Sequence, residues 1–435
     1  MSLPRYSEYK ETNVDWLGKV PSHWHEAKFR HAFQESGERI ETDVVGVMLS
    51  VSGYRGIEVK EYDDENRRRS DEDLVGYRIV RPGQLVVNTM WLNYAGLGVS
   101  DHVGHVSPAY RAYWISDGFD RRFVHHMMRS ELFVRGYTKY ITGVRPNSLQ
   151  MSREDLMQFR ILRPPLEEQS AIAAFLDRET AKIDALIAEQ ERLLELLTEK
   201  RQAVISHAVT KGLNPDLPMK DSGVAWLGEV PAHWDLGGLT RFIGPVVDYR
   251  GRTPTKVDEG IFLVTARNIR SGKIDYSASE EYVDLDSAKS LLERGRPELG
   301  DLLFTMEAPL GQVALIDRTD IALAQRIVKF RGKSNVLKNS FLMYWLMSDY
   351  SQARLVSLAT GSTALGIKAS KLGMIECLLP PIAEQEEIVQ HIERECSDLE
   401  ALIRGSESSI ALMNERRSAL IAAAVTGQID VRRAA

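Results

Sequence analysis

Trp16-Leu17-Gly18-Lys19-Val20-Pro21-Ser22-His23-Trp24 returns 210 residues later as Trp226-Leu227-Gly228-Glu229-Val230-Pro231-Ala232-His233-Trp234, with seven of nine positions identical. Self-similarity at a fixed offset is the mark of a duplicated architecture, and it frames every other reading of the chain. A second pair lies 216 residues apart, where Pro164-Pro165-Leu166-Glu167-Glu168-Gln169 is answered by Pro380-Pro381-Ile382-Ala383-Glu384-Gln385. Ala185-Leu186-Ile187 then returns as Ala401-Leu402-Ile403, and Ala208-Val209-Thr210 as Ala424-Val425-Thr426. Each half is a module of roughly 145 to 150 residues followed by a segment of about 45.

The shorter segments read as long helices. Proline opens each, acidic residues crowd the first turn, and Gly212 or Gly427 closes it, the expected start and stop signals. Apolar residues recur every seven, and the candidate seam takes Leu176, Ile183, Leu186, Leu197 and Val204 on the first helix. Ile392, Leu399, Leu402, Met413 and Leu420 supply it on the second. A seven-residue stripe wants a partner helix, and two stripes matched in length and register are expected to find each other within one chain. At about 1.5 Å per residue each rod runs roughly 65 Å, long enough to act as a spacer. The preferred arrangement is an intramolecular antiparallel coiled coil, which places the modules at opposite ends and relates the halves by a pseudo-twofold axis; the pattern does not exclude a parallel pair. The modules read as α/β, with strands at 44–51, 85–88, 261–265 and 327–330 and buried helices at 123–128 and 341–347. The expected class is α+β: two α/β modules separated by two long helices.

The 435 residues are 43% hydrophobic and 27% charged, a globular composition. Cys377 and Cys396 are the only cysteines, and their spacing supports neither a zinc site nor a disulfide framework. The first ten residues lack a signal-peptide pattern and no apolar run spans a bilayer, so the cytoplasm, with no membrane partner, is the expected address. The net charge of −6 conceals a partition. Residues 21–165 hold 20 basic and 19 acidic side chains and residues 228–379 hold 19 and 18, whereas 166–212 holds 6 against 9 and 380–428 holds 4 against 9. Contact with a polyanion is expected of the two modules, through local basic loops.

No catalytic, cofactor or metal site is legible. Asp43 with Glu58-Val59-Lys60 is too short a pattern for a nuclease, and Gly361 to Lys368 departs from a phosphate loop in the position of its lysine. His102 with His105, and His125 with His126, lack metal-binding company. The basic and polar loops say more. In the first module they hold Tyr54, Arg55, Arg67, Arg68, Arg69, Lys139, Tyr140, Arg145 and Asn147; in the second, Arg250, Arg252, Thr253, Lys256, Arg267, Asn268, Arg270, Thr360, Ser362, Thr363 and Lys368. Arginine and asparagine suit bidentate contacts to guanine and adenine edges, and lysines and hydroxyls suit phosphates. These are the candidate DNA-binding residues.

With these features assembled, the chain resembles the specificity subunit of a Type I restriction-modification system over essentially its whole length. The most specific marks are the Trp-Leu-Gly-x-Val-Pro-x-His-Trp opening, the Pro-Pro start and Glu-Gln pair of each long helix and the Ala-Val-Thr helix ends. Gly104-His105-Val106-Ser107-Pro108-Ala109-Tyr110 and Gly300-Asp301-Leu302-Leu303-Phe304-Thr305 support them. The resemblance implies target-recognition domains at 1–165 and 213–379, spacer helices at 166–212 and 380–428, and a tail at 429–435. Each domain would read one half of a bipartite site in double-stranded DNA, with the helices as a ruler. Two methyltransferase subunits and restriction subunits would bring S-adenosylmethionine, ATP and Mg, leaving this chain without catalysis of its own.

Overall fold

The computed structural model describes residues 4–53, 55–62, 70–142, 150–249, 254–361 and 365–433. It divides into two compact units, 1–191 with 408–435, and 192–407. The division cuts both long helices, Leu166–Lys211 and Ile382–Val425, near their middles. Each module therefore shares its unit with two half-helices. In unit 1 the start of the first helix lies against the end of the second, with Ile172, Phe175 and Leu176 sharing a core with Ala424 and Val425 and Asp184 paired to Arg417 at 3.0 Å. In unit 2 the end of the first meets the start of the second, with Ile205, Ala208 and Val209 beside Ile388, Val389 and Ile392 and Arg201 3.8 Å from Glu400. Start against end in both units is the antiparallel pairing. Gly212 and Gly427 terminate the helices at φ of +74° and +69°, left-handed values that glycine takes without Cβ strain.

The seam differs from the sequence reading in one column. Leu176, Ile183, Leu197, Ile392 and Leu399 are buried, and Val204, Met413 and Leu420 are half-buried. Leu186 and Leu402 instead point outward, 57% and 56% exposed. The second column stands four residues after the first, at Thr180, Ile187 and Cys396, all buried. At about 100° per residue, Leu186 lies roughly 80° round the helix from Leu176, and Ile187 only about 20°.

Both modules are built on one frame. Unit 1 has an antiparallel sheet in the order Phe33–Glu35, Tyr110–Ile115, Leu85–Asn88, Leu97–Val99. Unit 2 repeats it as Val247–Asp248, Ile327–Phe330, Leu302–Thr305, Val313–Leu315. A second sheet contains a parallel pair, Val47–Ser52 with Gly104–Val106 at the centre in unit 1 and Ile261–Val264 with Ile321–Leu323 in unit 2, where Ile321–Leu323 is the edge strand. The frames part at this sheet's edge. Unit 1 adds Arg78–Val80 beside Gly104–Val106, whereas unit 2 adds Lys256–Val257 beside Tyr282–Val283 on the other side.

The repeated motifs meet in space. Glu168 accepts hydrogen bonds from Trp24 Nε1 at 2.9 Å, Tyr6 Oη at 3.1 Å and Arg432 Nη1 at 3.1 Å, and lies 2.7 Å from His23 Nε2. In unit 2 Glu384 stands 2.8 Å from His233 Nε2. The neighbouring glutamine fastens each helix to its module. Gln169 accepts from Asp120 N and donates to the carbonyls of Gly118 and Pro164; Gln385 accepts from Lys338 N and donates to Val336 and Pro380. Asp120 and Lys338 are the N-cap residues of the buried helices Arg121–Arg129 and Asn339–Met347. One amide thus spends both its polar ends joining three segments, which explains why Glu-Gln recurs in both halves.

Candidate nucleic-acid interface

Of the sequence candidates, Tyr54, Arg67, Arg68, Arg69, Arg145, Asn147, Arg250, Arg252, Thr253, Ser362 and Thr363 lie outside the described residues. Those remaining gather at equivalent places in the two units. In unit 2, Lys256 and Arg267 line a cleft of about 260 Å3 together with Thr265, Gln325 and Arg326. Lys256 pairs with Glu281 at 2.7 Å and Arg326 with Glu307 at 3.1 Å, so each cation is held by one carboxylate while its remaining donors face solvent. Arg326 has φ of +74°, and its carbonyl accepts from Met306 N at 2.8 Å. A left-handed arginine costs on the order of 1 kcal/mol, a strain characteristic of functional loops. Arg267 and Arg270 are exposed on the adjoining turn, where Arg270 Nε donates to Arg267 O.

Asn268 corrects the sequence reading. It is fully buried, accepting from Thr265 N and Oγ1 and donating to the carbonyls of Asp275 and Ser279. With its amide committed, it shapes the turn that presents Arg267 and has nothing left for a base.

Thr360 and Gly366 exchange both backbone hydrogen bonds, and Ile367 N donates to Met306 O at 3.0 Å. Thr360 and Gly366 therefore stand at the rim of the same cleft, with Lys368 exposed just beyond them. Unit 1 repeats the arrangement: Ile141–Thr142 pairs with Gln150–Met151, and Met151 N donates to Thr89 O at 3.1 Å. Lys139 and Tyr140 are exposed at the foot of that hairpin. Arg55 stands on the turn after Val47–Ser52, its side chain 3.4 Å from Glu58.

Two groups of this face escaped the sequence reading. Gln325 and Arg326 sit in the loop entering Ile327–Phe330, and the only hint of them was the charge in an otherwise apolar stretch. Trp91 and Tyr94 sit between Leu85–Asn88 and Leu97–Val99, exposed beside Arg55's turn. Beneath them Arg129 is half-buried and donates to the carbonyls of Ser52, Gly53, Ala95 and Leu97 at 3.2, 2.9, 3.2 and 2.6 Å. Burial lowers its guanidinium to about 10, still charged at neutral pH. Burial likewise drives His125 down to about 3, so it stays neutral and its Nδ1 accepts from Val99 N at 3.3 Å.

Among the described residues no group of three or more His, Cys, Asp or Glu is arranged to hold a metal, and no helix is long and apolar enough to cross a membrane. Cys377 and Cys396 are buried free thiols, Cys377 pushed well up by burial.

Residues 256–405, the stretch that carries the unit 2 cleft, match the family model described as the Type I restriction modification DNA specificity domain. Over a longer stretch the chain is similar to specificity subunits of Type I restriction enzymes. Among them is the EcoKI specificity subunit of Escherichia coli strain K12, 24% identical over 317 residues, which cover 71% of this chain and 65% of that one. The MjaVIII specificity subunit of Methanocaldococcus jannaschii is 26% identical over 316 residues, 69% and 68% of the two chains. The match thus spans just under two thirds of the EcoKI subunit. A chain from a solved structure described as concerning complex assembly and conformational transition of the type I R-M system shares the fold. Its TM-score is 0.63 at 16% identity, covering 94% of this chain and 99% of that one.

Proposed function

We propose that this chain is the DNA-reading subunit of a Type I restriction-modification enzyme, each unit inspecting one half of a bipartite duplex site. It works without catalysis of its own. Methyltransferase subunits would bring S-adenosylmethionine, and restriction subunits ATP and Mg. The observation that carries this reading is the contrast between a conserved frame and a divergent rim. The antiparallel sheet order, parallel pair, helix pairing and glutamine anchor recur in both units, while the side chains at the equivalent loop change from Trp91 and Tyr94 to Glu307 and Ala308. A protein that tests two different half-sites needs one scaffold twice and two reading surfaces.

The test is selection from a random duplex pool by the chain assembled with its methyltransferase subunits. Enrichment of a split motif with a fixed unread gap is the expected result. A continuous motif, or no enrichment, would overturn the reading in favour of a protein scaffold.

A further inference from the structure

The loop between Leu85–Asn88 and Leu97–Val99 displays two aromatic rings to solvent. Trp91 is 56% and Tyr94 63% exposed, with ring centroids 5.7 Å apart and planes inclined at 58°. Leu92, between them, is fully buried and roots the 3-10 turn Leu92–Tyr94 in the core. The display is rigid. Arg129 ties the carbonyls of Ala95 and Leu97 to those of Ser52 and Gly53. A Cβ on Gly53 would stand 2.3 Å from Tyr94 O, and one on Gly96 2.6 Å from Trp91 O, so both glycines are required for the backbones to close. Ala95 holds φ of +54°, a conformation an alanine keeps only when its surroundings enforce it. Large aromatics fixed in advance lose little freedom on binding, which is how such side chains become binding anchors.

The surroundings identify the partner. On one side stands the turn bearing Arg55; on the other, the hairpin whose Met151 bonds to Thr89, with Lys139 exposed at its foot. Both neighbours carry positive charge, as a surface facing a phosphate backbone should. The equivalent loop of unit 2, between Leu302–Thr305 and Val313–Leu315, instead contributes Glu307 and Ala308 beside Arg267, Gln325 and Arg326. A protein subunit that docks alike on both units would demand the same chemistry twice. A surface addressed to two different DNA sequences would not.

We propose that Trp91 and Tyr94 form an apolar wedge that stacks against bases of the half-site read by unit 1 and selects a base step that unstacks cheaply. Unit 2 reads its half-site through hydrogen-bonding side chains. Rings inclined at 58° do not form a parallel slot for a flipped base, but they match the shape of a side-chain wedge that opens one step of the duplex. Pyrimidine–purine steps deform most readily, so the preference falls on such a step. This inference rests on the DNA-reading function proposed above.

The test uses the full chain assembled with its methyltransferase subunits. Duplexes carry 2-aminopurine at successive positions of the selected site, whose emission rises where the base is unstacked. The wild-type assembly is expected to raise emission at one step of one half-site. Trp91→Ala with Tyr94→Ala should abolish that rise, weaken binding about tenfold or more, and relax sequence preference in that half alone. Trp91→Phe should retain most of both signals. Unchanged affinity and motif in the double variant, while Arg267→Ala degrades the other half, would overturn the wedge and leave DNA reading intact. Loss of methyltransferase co-elution, with both halves affected equally, would overturn it in favour of a protein contact. Absence of any split motif for the wild type is the separate failure of the underlying function.

Discussion

Two equivalent strand pairs show how one frame carries two chemistries. In unit 1 the strand Leu85–Asn88 is preceded by Gln84, and its neighbour carries Ala112; in unit 2 the same places hold Asp301 and Lys329. Gln84 is buried and accepts from Arg81 N at 2.8 Å. Asp301 keeps the matching bond from Glu298 N and adds Lys329 at 2.6 Å and Arg331 at 2.7 Å. Where unit 1 has a neutral turn-cap, unit 2 has an ion triad on the same sheet, with Asp301 and Lys329 buried and Arg331 exposed. The lesson is that backbone register is conserved through the hydrogen bond both versions share, and the charge is free to differ.

That comparison is broken most forcefully by removing the shared acceptor. Asp301→Ala leaves Lys329 buried without its partner and is expected to cost about 3–5 kcal/mol, whereas Gln84→Ala should cost about 1 kcal/mol. Chemical denaturation of both variants checks it, and equal losses would show that the triad adds nothing to unit 2. The carboxylates at the helix starts give a second, smaller asymmetry. Glu168 gathers three donors and a histidine, whereas among the described residues His233 alone stands at Glu384, so Glu168→Gln should cost about 2–3 kcal/mol and Glu384→Gln about 1 kcal/mol. Thermal melting of each variant measures the gap. The smallest effect sharpens the seam: Ile187→Val should cost about 1 kcal/mol, while Leu186→Gln stays within about 0.5 kcal/mol, despite being the larger chemical change.

The long helices were legible because periodicity survives translation from sequence to structure. Proline, acids and glycine marked their ends, and Leu176, Ile183 and Ile392 fell where the seven-residue spacing placed them. The choice between Leu186 and Ile187 was not legible. Both are apolar, and only the angular sum along an actual helix separates them. The recurrent Glu-Gln pair was visible as a repeat and as acid in a first turn, but its job as a clamp needs the far Trp24 and Asp120 in view. At the interface, exposure was the missing information. Asn268 looked like a reader and is a buried strut; Trp91 and Tyr94 carried no mark in the sequence and stand in solvent. Aromatic residues next to a strand carry no sequence sign of which way they face, and an arginine such as Arg129 gives no sign that it will tie two loops together.

The central claim is that the two units read different halves of one site, and it is tested most directly by mapping the motif modified by the assembled enzyme with Arg267→Ala in unit 2. One half of the split motif is expected to lose discrimination, at about 1–3 kcal/mol for a lost base contact, while the other half and the gap stay unchanged. Loss of discrimination in both halves together would contradict it.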